Sequence, residues 1–277
     1  HAFGHEAVGQ VIDIGKKVKK VSPKDEVILS WIKGKGLDHG GFELTNINNQ
    51  KINFGPISTF SSFAIVSENR VFLKPKKMSK IEAVLYGCAT PTGAGIVINQ
   101  LKKIKKKHKV CLIGVGGVGM AALLALIKKK PKIFVIEKNK KKKQFLKNFN
   151  INLINDKEIK SYKNFFDFCI ETSGSIKMIE EGFDLIKNDG KLIFASHPKS
   201  SKKIKLNPHD LISGKKIYGS WGGNCKLDSD IEKIFEYFDK KNIFSTSGKI
   251  SFFNLKNINK AFNKVISGQI NRAIIKF

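Results

Sequence analysis

The sequence predicts an α/β chain in which a barrel-like region of short strands is followed by a doubly wound parallel sheet. Three observations predict it. Over about residues 1–88, short apolar runs are separated by Gly, Pro, Asn and Asp, the pattern of short strands joined by turns. From about residue 90 to 222, strand-length apolar runs alternate with helical ones, which calls for parallel strands with crossover helices. Residues 223–277 then return to mixed strand and helix. By pattern the chain therefore changes character near residues 88 and 222. With 277 residues, 41% of them hydrophobic, the chain has enough apolar surface for a large core.

In chain order, residues 4–15 run from a turn into an alternating strand closed by Gly15. Pro23-Lys24-Asp25 turns the chain into a second strand over 26–32. Residues 33–60 read as loop, 61–67 as a strand, and Phe72-Leu73 as the start of the next. Ser79 caps a helix over 79–86, and Glu82, three residues on, completes a capping box. Residues 87–93 interrupt that helix, 94–101 resume it, and the lysine-rich run 102–109 is a solvated connection.

The strongest motif follows. Val110-Cys-Leu-Ile113 has strand length, and Gly114, Gly116, Gly117 and Gly119 come directly after it. Residues 120–127 are Ala- and Leu-rich, the composition of a buried helix, and the apolar run 133–136 ends on Glu137. Strand, glycine turn, helix, strand and acid in register form the dinucleotide-binding βαβ fingerprint of a Rossmann domain. Gly114 permits the tight turn, Gly116 lets backbone approach a pyrophosphate, and Gly119 lets helix and strand pack closely. Glu137 is expected to accept from both adenosine ribose hydroxyls. Its charge repels a ribose 2′-phosphate, which favours NAD.

The alternation continues with a basic helix over 138–149 and strands at 151–154 and 165–171. A helix over 176–186 leads to strands at 191–195 and 217–220. The tail holds a helix at 228–239, a strand near 249–253, a helix at 256–266 and a last strand at 272–277.

A formal net charge of +28 suggests nucleic-acid binding, but the lysines are spread along the whole chain beside many Asn, Ile and Phe. No basic block is interleaved with aromatics, so only non-specific adhesion to polyanions at low salt is expected. Cys88, Cys111, Cys169 and Cys225 lie far apart, which points to a reducing, cytoplasmic setting without disulfides. No apolar run approaches a membrane span, and no signal peptide is visible.

Together, Gly4-His5-Glu6 opening a strand that runs to Gly15, Gly87-Cys88 before Pro91-Thr92-Gly93, the Gly114–Gly119 turn and Arg272 in the last strand give a strong family likeness. The chain resembles the medium-chain, zinc-dependent alcohol dehydrogenases over nearly its whole length. The resemblance implies a GroES-like split barrel, residues 1–88 and 223–277 forming one catalytic domain, around a Rossmann domain of residues 89–222. It implies hydride transfer between NAD and a small alcohol, polyol or carbonyl compound, assisted by one catalytic zinc. His5 and Cys88 would bind that zinc, and Glu6 would lie close to it as an outer or transient ligand. Thr92 would contact the nicotinamide end, Lys142 the adenosine ribose, and Arg272 the pyrophosphate. A homodimer or homotetramer is implied, with residues 216–220 as the candidate edge.

Two departures accompany the resemblance. The chain opens at His1 without an initiator Met and reads as the interior of something longer. The family's further cysteine ligand and proton-relaying hydroxyl are expected in a segment before it. No cysteine lies between Glu6 and Gly87, so no structural zinc is expected. Cys111 and Cys169 are expected in the core, Cys225 in a loop, His39 in solvent, and His108 and His209 at the surface. His197 is a weak candidate for touching cofactor. Two rival functions remain open: a zinc-free NAD(P)H-dependent reductase of the same fold, and a catalytically inactive nucleotide-binding fragment.

Overall fold

The computed structural model describes residues 1–239 and 250–277. It separates into two compact units: one of His1–Pro91, Cys225–Val265 and Arg272–Phe277, the other of Thr92–Asn224 and Ile266–Asn271.

The first unit begins with β1 (Glu6–Gln10) and β2 (Glu26–Ser30), then β3 (Phe42–Thr45), β4 (Lys51–Gly55) and β5 (Val71–Leu73). β1, β2 and β5 form an antiparallel sheet in that order, with Glu6 opposite Ser30. Val21, Val27 and Val71 fill a small core beneath it. β3 and β4 form a separate hairpin inside the stretch expected to be loop. Its turn is held by Asn46, whose Oδ1 accepts from the backbone N–H groups of Asn48 and Gln50, both at 2.9 Å. The rings of Phe42 and Phe54 stack across it, with centroids 5.0 Å apart. The strand expected over 61–67 is absent. β1 and β5 occupy both edges of β2, and this run pairs with no strand among the described residues, leaving Phe63 and Ile65 exposed.

α1 (Lys80–Leu85) starts where expected: the Ser79 side chain accepts from the Glu82 backbone N–H. α2 (Ala89–Gly95) corrects the expected interruption at 87–93. Pro91 lies in the first turn of this helix, where its missing N–H would have had no partner in any case. A π-helical turn over Ile96–Gln100 ends the segment, closed by Leu101 N–H to Ile96 carbonyl at 2.8 Å.

The second unit holds β6 (Lys109–Ile113), α3 (Gly117–Lys129), β7 (Lys132–Ile136), α4 (Lys140–Leu146), β8 (Asn152–Leu153) and β9 (Phe166–Glu171). It continues through α5 (Ile176–Leu185), β10 (Ile186–Phe194), α6 (Pro208–Ile212) and β11 (Lys216–Gly219). Its sheet is wholly parallel, in the order β11-β10-β9-β6-β7-β8. Strand order therefore reverses between β6 and β9, and a ligand crevice is expected at their carboxyl ends. Helix ends follow local chemistry. Lys130 closes α3 in the left-handed region just before Pro131, and Asn139 caps α4 by accepting from Lys141 and Lys142. Cys111, Ile113, Phe166, Cys169, Ile179 and Phe183 belong to the core. β10 starts earlier than expected, with an irregular register between Ile186 and Lys191.

The chain ends with α7 (Leu227–Tyr237), β12 (Ile250–Asn254), α8 (Ile258–Ile266) and β13 (Arg272–Lys276). β12 and β13 pair in parallel. Lys249, at the edge of the expected strand, lies outside the described residues.

Candidate metal and dinucleotide sites

The first site lies in the first unit. His5 immediately precedes β1 and Glu6 begins it, while Cys88 sits between α1 and α2. Several contacts bring these distant segments together. Trp31 N–H donates to the His5 carbonyl at 3.1 Å, and Thr59 Oγ1 donates to the Glu6 carbonyl at 3.0 Å. Ser30 Oγ donates to the Gly87 carbonyl. A side chain at Gly87 would collide with the Leu29 carbonyl and the Cβ of Glu6, so only glycine lets the Cys88 turn approach β1 and β2 this closely. As a result one ligand atom each from His5, Glu6 and Cys88 lies within 4.8 Å of the others.

Arg272 Nη2 pairs with Glu6 Oε1. The other oxygen, Glu6 Oε2, is buried without a hydrogen-bond partner. An unpaired buried carboxylate oxygen is costly unless a cation or donor meets it. An imidazole nitrogen, a thiol sulfur and a carboxylate oxygen make a donor set suited to zinc. The residues present therefore fit that ion. Trp31 completes the surroundings, its Nε1–H donating to Cys88 Sγ at 3.1 Å.

The second site lies in the second unit, at the reversal of strand order. A cavity of about 360 Å³ is bounded by Gly114, Val115, Gly116, Glu137, Lys138, Lys142 and the Thr172-Ser173 corner, among others. Gly114 has φ +80°, and a side chain there would meet Ser173. A side chain on Gly119 would overlap the Gly114 carbonyl oxygen, whereas one on Gly116 would meet nothing within 4 Å. The turn thus crowds its protein side and leaves open space at Gly116, where a pyrophosphate fits against the start of α3. Glu137 Oε2 accepts from Val115 N–H at 2.8 Å and Oε1 from Asn139 N–H at 2.9 Å, so its carboxylate is fixed at the cavity wall. These features fit a dinucleotide.

Thr92 is buried and its hydroxyl is unpartnered. Glu171, fully buried at the end of β9, accepts from the hydroxyls of Ser173 and Ser196. Cys111 and Cys169 face each other on adjacent strands in the core, and burial raises the Cys169 thiol well above its ordinary value. Cys225 Sγ donates to the Pro91 carbonyl. His39 and His209 are exposed, His108 is half-buried against the Phe168 ring, and His197 packs edge-on against Trp221.

Sequence reasoning missed Trp31 and Ser30, the hold of Arg272 on Glu6, and the Thr172-Ser173 wall. Only the last left a signal: a Thr-Ser-Gly corner directly after a buried parallel strand.

A family model described as zinc-binding dehydrogenase matches residues 117–240. S-(hydroxymethyl)glutathione dehydrogenase of Komagataella pastoris is 24% identical over 99% of this chain and 82% of its own length. The class-P alcohol dehydrogenase of Arabidopsis thaliana is 25% identical, with the same coverage. These matches support the resemblance to the medium-chain, zinc-dependent alcohol dehydrogenases. Among solved structures, the benzyl alcohol dehydrogenase of Acinetobacter calcoaceticus matches with a TM-score of 0.83 at 23% identity, covering 100% of this chain and 84% of that one. A zinc-binding-domain alcohol dehydrogenase from Burkholderia ambifaria gives 0.80 at 22% identity. These likenesses agree with the medium-chain dehydrogenase fold expected from the sequence.

Proposed function

We propose that this dehydrogenase transfers a hydride between a small alcohol or polyol and NAD, assisted by one zinc ion. The observation that carries the reading is the meeting of the adjacent His5 and Glu6 with Cys88, distant in sequence, around an unpaired buried carboxylate oxygen. His5 and Cys88 hold the metal, and Glu6, anchored by Arg272, offers a further oxygen. When bound, zinc supplies the Lewis acidity that makes an alkoxide accessible near neutral pH. Glu137 is fixed to receive the adenosine ribose hydroxyls, Lys142 lies at the same cavity, and Gly116 leaves the pyrophosphate room. The buried Thr92 hydroxyl suits a contact to the nicotinamide amide. Arg272 keeps further N–H donors besides the one given to Glu6, the chemistry its expected pyrophosphate role asks for. The Glu137 carboxylate favours NAD over NADP.

No structural zinc is assigned. Catalysis is allotted to 1–88 with 223–277, and the dinucleotide to 89–222. β11, with Tyr218 exposed and Trp221 just beyond it, is the edge we assign to a homodimer or homotetramer. No described helix is long and apolar enough to cross a membrane. A cytoplasmic setting accords with the scattered cysteines.

Metal analysis and turnover test this together. The purified full-length protein should hold about one zinc per chain and reduce NAD with an alcohol. His5→Ala and Cys88→Ser should each weaken zinc binding by more than about 100-fold, beyond the range seen for outer ligands, and abolish turnover while NADH still binds. Chelator-insensitive turnover would favour a zinc-free reductase instead. Dinucleotide binding without turnover by metal-loaded protein would favour an inactive nucleotide binder.

A further inference from the structure

We propose that Trp31 is a positioning residue for the metal ligand Cys88, orienting its sulfur and drawing charge from it through the indole N–H. The inference rests on the zinc reading above. The Nε1–Sγ distance is 3.1 Å. An indole N–H can only donate, so the sulfur is the acceptor, and a metal-bound thiolate accepts more strongly than a thiol.

The tryptophan is itself held in place. Its backbone N–H donates to the carbonyl of His5 at 3.1 Å, and its carbonyl accepts from the Arg70 guanidinium. One residue earlier, Ser30 Oγ donates to the Gly87 carbonyl and accepts from Ile32 N–H at 2.9 Å. The dipeptide at the end of β2 therefore grips the chain at both ligands: at His5 through a backbone bond, and at Gly87-Cys88 through a hydroxyl and an indole. Partners of this kind set ligand orientation and basicity in metal sites. Removing an N–H···S bond leaves the sulfur lone pairs at higher energy, so charge transfer from sulfur to metal requires less energy.

The test uses Trp31→Phe, which keeps an aromatic ring and removes the donor. In cobalt(II)-loaded protein the thiolate-to-cobalt absorption band should move to lower energy than in the parent. Zinc affinity, measured by competition with a chromophoric chelator, should fall by about 10-fold or more. A merely structural role would not move the band. A second arm does not depend on that variant folding. The chain has two tryptophans, so Trp221→Phe, at an exposed position, leaves Trp31 as the sole emitter. Its emission should change on adding zinc and on adding Cys88→Ala. A Trp31→Phe band that superimposes on the parent's would overturn the inference, as would emission indifferent to both zinc and Cys88→Ala. A parent with no thiolate band at all would overturn the zinc reading and this inference with it, an outcome distinct from a band that is present but unmoved.

Discussion

Glu68 shows how much a single side chain organises away from the candidate chemistry. Its Oε1 accepts from the backbone N–H groups of Lys19 and Lys20 at 2.6 and 2.7 Å, and its Oε2 from Leu37 at 2.8 Å. These bonds, that from Leu37 foremost, hold its carboxyl below the ordinary glutamate value. A carboxylate lowered in the folded state stabilises the fold above its unfolded value, and that contribution disappears as pH falls through the folded value. Glu68→Gln replaces a charged acceptor with a neutral amide and turns an NH2 group towards donors. The expected loss is about 1–3 kcal/mol, seen as a lower Tm near neutral pH, with the gap between variant and parent closing in acid. None of this was legible in the sequence, because the donors lie 31 to 49 positions away. Trp31 was silent for the same reason, since its sulfur partner is 57 positions distant.

At the level of elements, legibility tracked locality. The strand, turn, helix and acid of the fingerprint were readable because they are contiguous, and the task proposed for each glycine can be checked separately. Gly119→Ala should lower Tm by forcing α3 away from the Gly114 carbonyl. Gly116→Val, pointing into open space, should leave Tm nearly unchanged while weakening NADH binding in a fluorescence titration by about 10-fold or more, a loss of roughly 1.4 kcal/mol. If both variants behaved alike, the turn would not be dividing packing from binding. The errors fell where structure depends on partners. The β3–β4 hairpin forms because Asn46 organises a turn between weakly patterned flanks. The apolar run at 61–67 lacks a neighbour to pair with among the described residues. Pro91 and Gly93 read as helix breakers, yet α2 runs through both.

For the molecule as a whole, the two sites belong to different compact units, and their occupancy should be separable. In hydrogen exchange followed by mass spectrometry, zinc should slow exchange around Glu6–Gln10, Glu26–Ser30 and Cys88. NAD should slow it at the Gly114–Gly119 turn, Glu137 and Thr172-Ser173. Protection of the turn by zinc alone would contradict this assignment. The pairing of His5 with Cys88 was foreseen through family likeness, since nothing in their spacing of 83 positions marks them as neighbours.

The twofold hold on Glu137 ties fuel choice to architecture. The carboxylate that would turn away a phosphorylated ribose is also the acceptor for the Val115 and Asn139 amides. Exchanging it for a small neutral residue to welcome NADP would strip a partner from the glycine corner and from the entry to α4. A redesign of coenzyme preference must therefore supply new acceptors for two backbone amides as well as a new pocket wall.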